Sequence, residues 1–161
     1  MFLLMYRMKQ LEVWRRKQQL EHLFELVTSF QDDDELISHW ARYMCVLVSG
    51  FLEAAVFEIY TEFARAKSQD FVVNYVQKQL TRFQNPKMEK ILSLAGSFNG
   101  LWRDKLKEAT DGELKDAVDS IVNNRNNIAH GRNSDITYGR IKEYFKKAVK
   151  VIDMLEDLCY Q

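Results

Sequence analysis

Apolar residues recur at helical spacing along nearly the whole chain, and no segment shows the sustained two-residue alternation of a strand. The first stripe comprises Leu4, Met8, Leu11, Leu20, Leu23, Phe24 and Val27. It predicts a helix over about 4–30, broken in the middle by Arg15, Arg16 and Lys17. Asp32-Asp33-Asp34-Glu35 opens a second helix, because carboxylates are favoured at the positive end of the helix dipole. That helix runs to about Lys67. From Tyr43 onward it is apolar on nearly every side, which predicts burial on several faces, part of it against a partner subunit.

A third helix is expected from about Phe71 to Arg82. A fourth begins at Asn85-Pro86, a good cap followed by a residue suited to the first turn. Gly96 and Gly100 loosen the stretch 97–101, beside Phe98 and Trp102. Thr110-Asp111-Gly112-Glu113 has the form of a capping box. It opens a helix whose stripe is Leu114, Val118, Ile121, Val122 and Ile128, and Gly131 supplies the C-cap. The last stripe is Ile141, Tyr144, Phe145, Ala148, Ile152, Leu155 and Cys159. The expected fold is an all-α bundle of five or six helices. An N-terminal helical extension (1–30) would precede a helical domain (31–161).

Composition fits that picture and narrows the function. A chain of 161 residues that is 47 % apolar and 29 % charged is long enough for one domain with a real core. The formal net charge is zero, which argues against a general polyanion binder. Charge is nevertheless uneven. Between 120 and 150 seven Arg and Lys oppose only Asp135 and Glu143, and between 31 and 62 seven acids oppose only Arg42. The basic stretch is placed to meet phosphate; two solvated faces attracting each other would explain the pattern equally well.

Cys45 and Cys159 are too few for a disulfide framework, and the setting expected for them is reducing and cytoplasmic. His22 and His39 have no partners at metal-ligand spacing, so neither a metal nor another cofactor is expected. Met1 to Tyr6 is too short for a signal segment. Glu53 and Glu58 interrupt the apolar run 44–60, so no membrane span is expected. Trp14, Trp40 and Trp102 are expected as core anchors.

Chemistry concentrates in Arg125-Asn126-Asn127-Ile128-Ala129-His130-Gly131. Arg125 falls on the apolar side of its helix, where an unpaired guanidinium would be costly. The run also holds four asparagines, 123, 124, 126 and 127, which are weak helix formers. Histidine changes charge near neutral pH and arginine matches phosphate with a fixed fork of donors. Positions five apart lie about 140° from each other on a regular helix. Arg125 and His130 of one copy therefore converge only if the helix unwinds near Ala129, or if two copies meet. Asn126 shares a face with His130 and is a candidate to orient its imidazole or to contact phosphate. Glu53, alone in Phe51-Leu52-Glu53-Ala54-Ala55, is expected to pair with Arg125; a solvent-facing Glu is the plainer alternative.

Arg125, four intervening residues and His130, with Asn126 directly after the arginine, resemble the Arg-x4-6-His motif of the HEPN superfamily. The wording Arg-Asn-x-Ile-Ala-His-Gly is most similar to the prokaryotic branch associated with L-PSP-type proteins, with the likeness covering about 36–158. The resemblance implies a HEPN-type bundle, homodimeric, with a composite active site at the dimer interface. It implies metal-independent endoribonuclease activity with Arg125 and His130 as catalytic residues, in a toxin or antiviral-defence effector. An antitoxin or regulatory protein would then be a partner. Arg132 and Tyr138, close after the motif, are RNA-binding candidates. Two other readings stay open: a catalytically inactive HEPN module binding nucleotide, RNA or protein, and a structural helical adaptor.

Overall fold

The computed structural model describes the backbone of residues 2–160 and the side chains of residues 11–160, so Leu4 and Met8 of the first stripe lie outside the described side chains. Seven α-helices and no strand occur among the described residues, and helices make up 83 % of the chain. They are α1 (Phe2–Glu25), α2 (Asp34–Lys67), α3 (Asp70–Leu80), α4 (Met88–Phe98), α5 (Gly100–Thr110), α6 (Glu113–Ala129) and α7 (Tyr138–Cys159). A 3-10 turn, Leu26–Ser29, follows α1.

The bundle is built around α2. Asp33 begins it by accepting a hydrogen bond from the Leu36 amide at 3.0 Å. Met44, Cys45, Val48, Leu52, Ala55 and Val56 are then fully buried along it, against α1, α3, α6 and α7. A window of α2 is long and apolar enough to pass for a membrane span despite its glutamates, with mean hydropathy 1.6, but 61 % of that window is buried within the bundle. Hydrophobic periodicity alone cannot separate those two fates.

The first helix joins the same core through Val13, Leu20 and Phe24. Phe24 stacks on Phe145 of α7 with ring centroids 5.3 Å apart. Trp40 donates its indole N–H to the Leu23 carbonyl at 3.1 Å, and Trp102 packs edge-on to Phe63. Trp14 departs from expectation: it is 53 % exposed rather than a core anchor. Both cysteines are buried and free, and burial pushes each thiol up to about 12, with the Glu156 charge adding to the effect at Cys159.

Local capping signals mislead at two helix starts, and a third boundary, at Asn99, carries no such signal in the expected pattern. The fourth helix starts at Met88, not at Asn85-Pro86. Asn85 adopts a positive φ of 54° and donates its backbone N–H to Glu53 Oε1 at 3.0 Å. The Met88 amide donates to Asp119 Oδ1 at 2.8 Å, so α4 is capped from another helix. Asn99 then divides the next stretch into α4 and α5 by accepting from the Leu101 amide at 2.9 Å, which raises the helix number above six. The Thr110 capping box does not form. Thr110 donates its hydroxyl to the Leu106 carbonyl at 2.7 Å, and Gly112, at φ 88°, precedes α6 without a side-chain cap.

A cleft of about 200 Å³ between α1 and α7 is lined by Trp14, Lys17, Phe51, Ile152, Asp153 and Glu156 among others. Burial, and then the charges of Asp153 and Asp157, push Glu156 up from 4.5 to about 7. The fold thus favours the protonated acid. Its contribution is complete below pH 4.5 and is lost as pH rises through about 7. Glu156→Gln should raise the melting temperature at pH 8 and change it little at pH 4, read from thermal melts at the two pH values. Asp119→Ala should lower unfolding free energy by about 1–2 kcal/mol in a urea titration, because the Met88 amide loses its partner.

Candidate active site

The motif occupies the last turn of α6 and the bend after it. Ala117, Val118, Ile121 and Val122 bury one face of this helix against α2 and α7. Cys45 Sγ lies 3.5 Å from the Ile121 carbonyl at that seam. Helical geometry continues to Ala129, and His130 is the C-cap residue.

The helix end is closed by two reverse hydrogen bonds. The Gly131 amide donates to the Ile128 carbonyl at 3.1 Å, and the Arg132 amide to the Asn127 carbonyl at 2.8 Å. With Gly131 at φ 66°, this is a Schellman ending, which glycine adopts without the penalty of a Cβ. The following loop is tied back as well. Ser134 donates its hydroxyl to Asn124 Oδ1 at 2.8 Å, while Asn124 donates its amide to the Ser120 carbonyl at 2.9 Å. The asparagines expected to mark chemistry therefore divide between fixing the loop and serving the site.

Arg125 is half-buried, as its position on the apolar side requires. Its guanidinium donates to Asn126 Oδ1 at 3.1 Å. Neighbouring residues on a helix do not face each other, so this contact needs the arginine side chain to bend around the helix. The expected Arg125–Glu53 pair does not form. Glu53 is committed to the Asn85 amide, and among the described residues no carboxylate pairs with Arg125. Asn126 likewise serves the arginine rather than the imidazole.

His130 is exposed. Since α6 stays regular to Ala129, the unwinding that would bring Arg125 and His130 together on one face is absent. Arg132 is exposed, and its backbone belongs to the helix ending. Tyr138, the other RNA-binding candidate, is neither surface decoration nor free, because it has partners within the chain. Its hydroxyl donates to the Phe24 carbonyl at 2.6 Å and its ring packs on Phe24. Burial, and then the Glu25 charge, push its phenol above the usual range. It anchors α7 to α1. Among the described residues no three His, Cys, Asp or Glu gather to hold a metal ion.

Two residues that matter here escaped the sequence reading. Asp119, six residues before Arg125, links the motif helix to α4. Ser134 sets the loop after His130. A serine three residues past a C-capping glycine carries no distinguishing local signal, and the partner of Asp119 is thirty-one residues away.

The sequence profile of the RiboL-PSP-HEPN family matches residues 13–161, and the chain belongs to that family. The match begins inside α1, well before the region in which the motif itself lies. No curated protein and no solved structure matches the chain.

A Cβ built on Gly131 would meet nothing within 4 Å, so substitution there is opposed by backbone conformation alone. Gly131→Ala should cost about 1–2 kcal/mol in chemical denaturation, and Gly131→Asn less, because asparagine tolerates the left-handed region better than alanine.

Proposed function

We propose that this RiboL-PSP-HEPN chain is an endoribonuclease in which Arg125 and His130 act on the RNA phosphodiester. The observation that carries the reading is the state of Arg125. A half-buried guanidinium is held by the neutral amide of Asn126, with no carboxylate among the described residues to consume its charge. That arrangement orients a cation for an incoming anion and leaves its field intact.

The chemistry needs a base, an acid and a cation. The 2′-hydroxyl of RNA loses its proton to a histidine and attacks phosphorus, forming the O2′–P bond. The P–O5′ bond breaks, and the leaving 5′ oxygen takes a proton from an acid. The products are a 2′,3′-cyclic phosphate and a 5′-hydroxyl, and DNA, which lacks the 2′-hydroxyl, is inert. Arg125 stabilises the charge of the crowded phosphorus centre. None of these roles calls for a metal ion.

Regular geometry up to Ala129 keeps Arg125 and His130 about 140° apart within one copy. Two copies meeting through the motif helices would supply Arg125 of one beside His130 of the other. The His130 imidazole beside each Arg125 would take the 2′-hydroxyl proton and, once protonated, return it to the leaving 5′ oxygen. The face of α2 that carries exposed Leu36, Tyr43 and Val46 is apolar enough to contribute to such an association. A dimeric nuclease of this kind, in a reducing cytoplasm, fits a toxin or antiviral-defence effector restrained by an antitoxin or regulatory protein.

His130→Ala and Arg125→Ala should each reduce RNA cleavage in excess EDTA by roughly 10²-fold or more, while circular dichroism stays native. End analysis should show cyclic phosphates. Mixing the two inactive variants should restore measurable cleavage, since a mixed dimer carries one intact Arg125–His130 pair. A folded native protein that leaves every RNA uncut would sink the nuclease reading and favour a module that binds nucleotide, RNA or protein through the same motif.

A further inference from the structure

Outside the motif, the chain's most unusual surface lies on α3. Phe71 is 69 % exposed and Tyr75 is 64 % exposed, four residues apart on one face of a helix that buries only Val73 and Leu80. Lys78 and Arg82 extend the same stripe at helical spacing, and both are exposed. Arg82 lies in the turn that closes α3, its amide bonded to the Gln79 carbonyl at 3.1 Å. From Phe71 to Met88 the chain holds Lys78, Arg82 and Lys87 and no acid. That gives the segment a charge of +3, between Asp70 and Glu89, in a molecule of zero net charge.

We propose that this face of α3 is a track for single-stranded RNA. Bases stack on Phe71 and Tyr75, and phosphates meet Lys78 and Arg82. The inference rests on the reading of RNA as substrate, but it concerns how the strand is held rather than how it is cut. Exposed rings followed by cations in register supply the two contacts a single strand offers, a π-face and a backbone charge. The apolar face of α2, with aliphatic Leu36 and Val46 beside Tyr43, lacks that alternation and has the character of a protein contact.

The position of the stripe also fits. Asn85, shortly after α3, bonds to Glu53 in the middle of α2, so α3 runs back along α2 and its Arg82 end is the inner one. Met88 then bonds to Asp119 on the motif helix. Asp119 and Arg125 are about 9 Å apart along that helix axis. A strand lying on α3 from Phe71 toward Arg82 is thereby led toward the helix that carries the motif. The stripe spans about 16 Å, room for a few stacked bases.

The test uses the full chain and a fluorescein-labelled 2′-O-methyl oligoadenylate 20-mer, which has no free 2′-hydroxyl and is not cut. Binding is read by fluorescence anisotropy across a salt series. The Phe71→Ala/Tyr75→Ala double variant should bind at least tenfold more weakly, whereas Phe71→Trp and Tyr75→Phe, which keep the rings, should bind as the native protein does. Lys78→Ala/Arg82→Ala should weaken binding and flatten its salt dependence by about one to two in log–log slope. An oligomer of the same length without bases should bind equally to the native and ring-less proteins. Because the rings are largely exposed, thermal melts should be unchanged.

Cleavage of a dinucleotide, too short to reach α3, should be the same for the native and ring-less proteins. If the native protein cuts no RNA yet loses oligomer binding when the rings are removed, the nuclease reading fails and the track stands. The proposal is overturned if the native protein does not bind the 20-mer, or if the ring-less variant binds it normally. It is equally overturned if that variant changes oligomeric state in size-exclusion chromatography while its RNA affinity is intact, since the face then belongs to a protein contact.

Discussion

The burial of α2 is the constraint that organises this protein. A helix of thirty-four residues is about 51 Å long and roughly three times the usual length, and most of it cannot remain in water. Each buried Val, Leu, Ile or Phe along it contributes about 1.5–3 kcal/mol of transfer free energy, opposed by the entropy of ordering the chain. The remaining helices are arranged to cover it. α3 returns along it, α6 meets it where Cys45 approaches the Ile121 carbonyl, and α7 closes the core with Phe145 and Ile152. The last turn of α6 is held steady because the middle turns of that helix are locked into this core.

What could be read from the sequence follows the reach of its signals. Helical periodicity is local, so the extents of α2 and α7 and the ending of α6 at Gly131 were all legible. The glycine ending is local too, since both of its hydrogen bonds close within five residues. The errors share a different cause: polar side chains whose partners lie far away in sequence. Asp119 caps a helix that begins thirty-one residues earlier, and Glu53 bonds an amide thirty-two residues later. Without those contacts in view, Asn85-Pro86 resembles a helix start and Glu53 resembles a counter-ion. Thr110 failed for a local reason: its hydroxyl chose the carbonyl one turn back over the amide ahead.

The motif shows the same division. Its residue types were sufficient to place Arg125 and His130 at the end of a helix, and the regular backbone keeps them on different sides of it. What the sequence could not show is which asparagine does what. Asn124 holds the loop through Ser134, Asn126 holds the arginine, and the Asn127 carbonyl receives the Arg132 amide. Two asparagine side chains thus have separate mechanical duties around one arginine and one histidine, while Asn127 contributes only its backbone carbonyl.

The two cysteines give this architecture an internal clock. Thiolate is the form that reacts with alkylating agents and oxidants, and both sulfurs are buried with proton affinities that keep thiolate scarce in the closed bundle. Covalent capture of either one must wait for local or global opening. Cys45 reports on the seam between α2 and α6, and Cys159 on the far end of α7. The rates at which the two sulfurs become reactive would therefore separate breathing beneath the motif from fraying of the last helix, without placing any new residue in the chain.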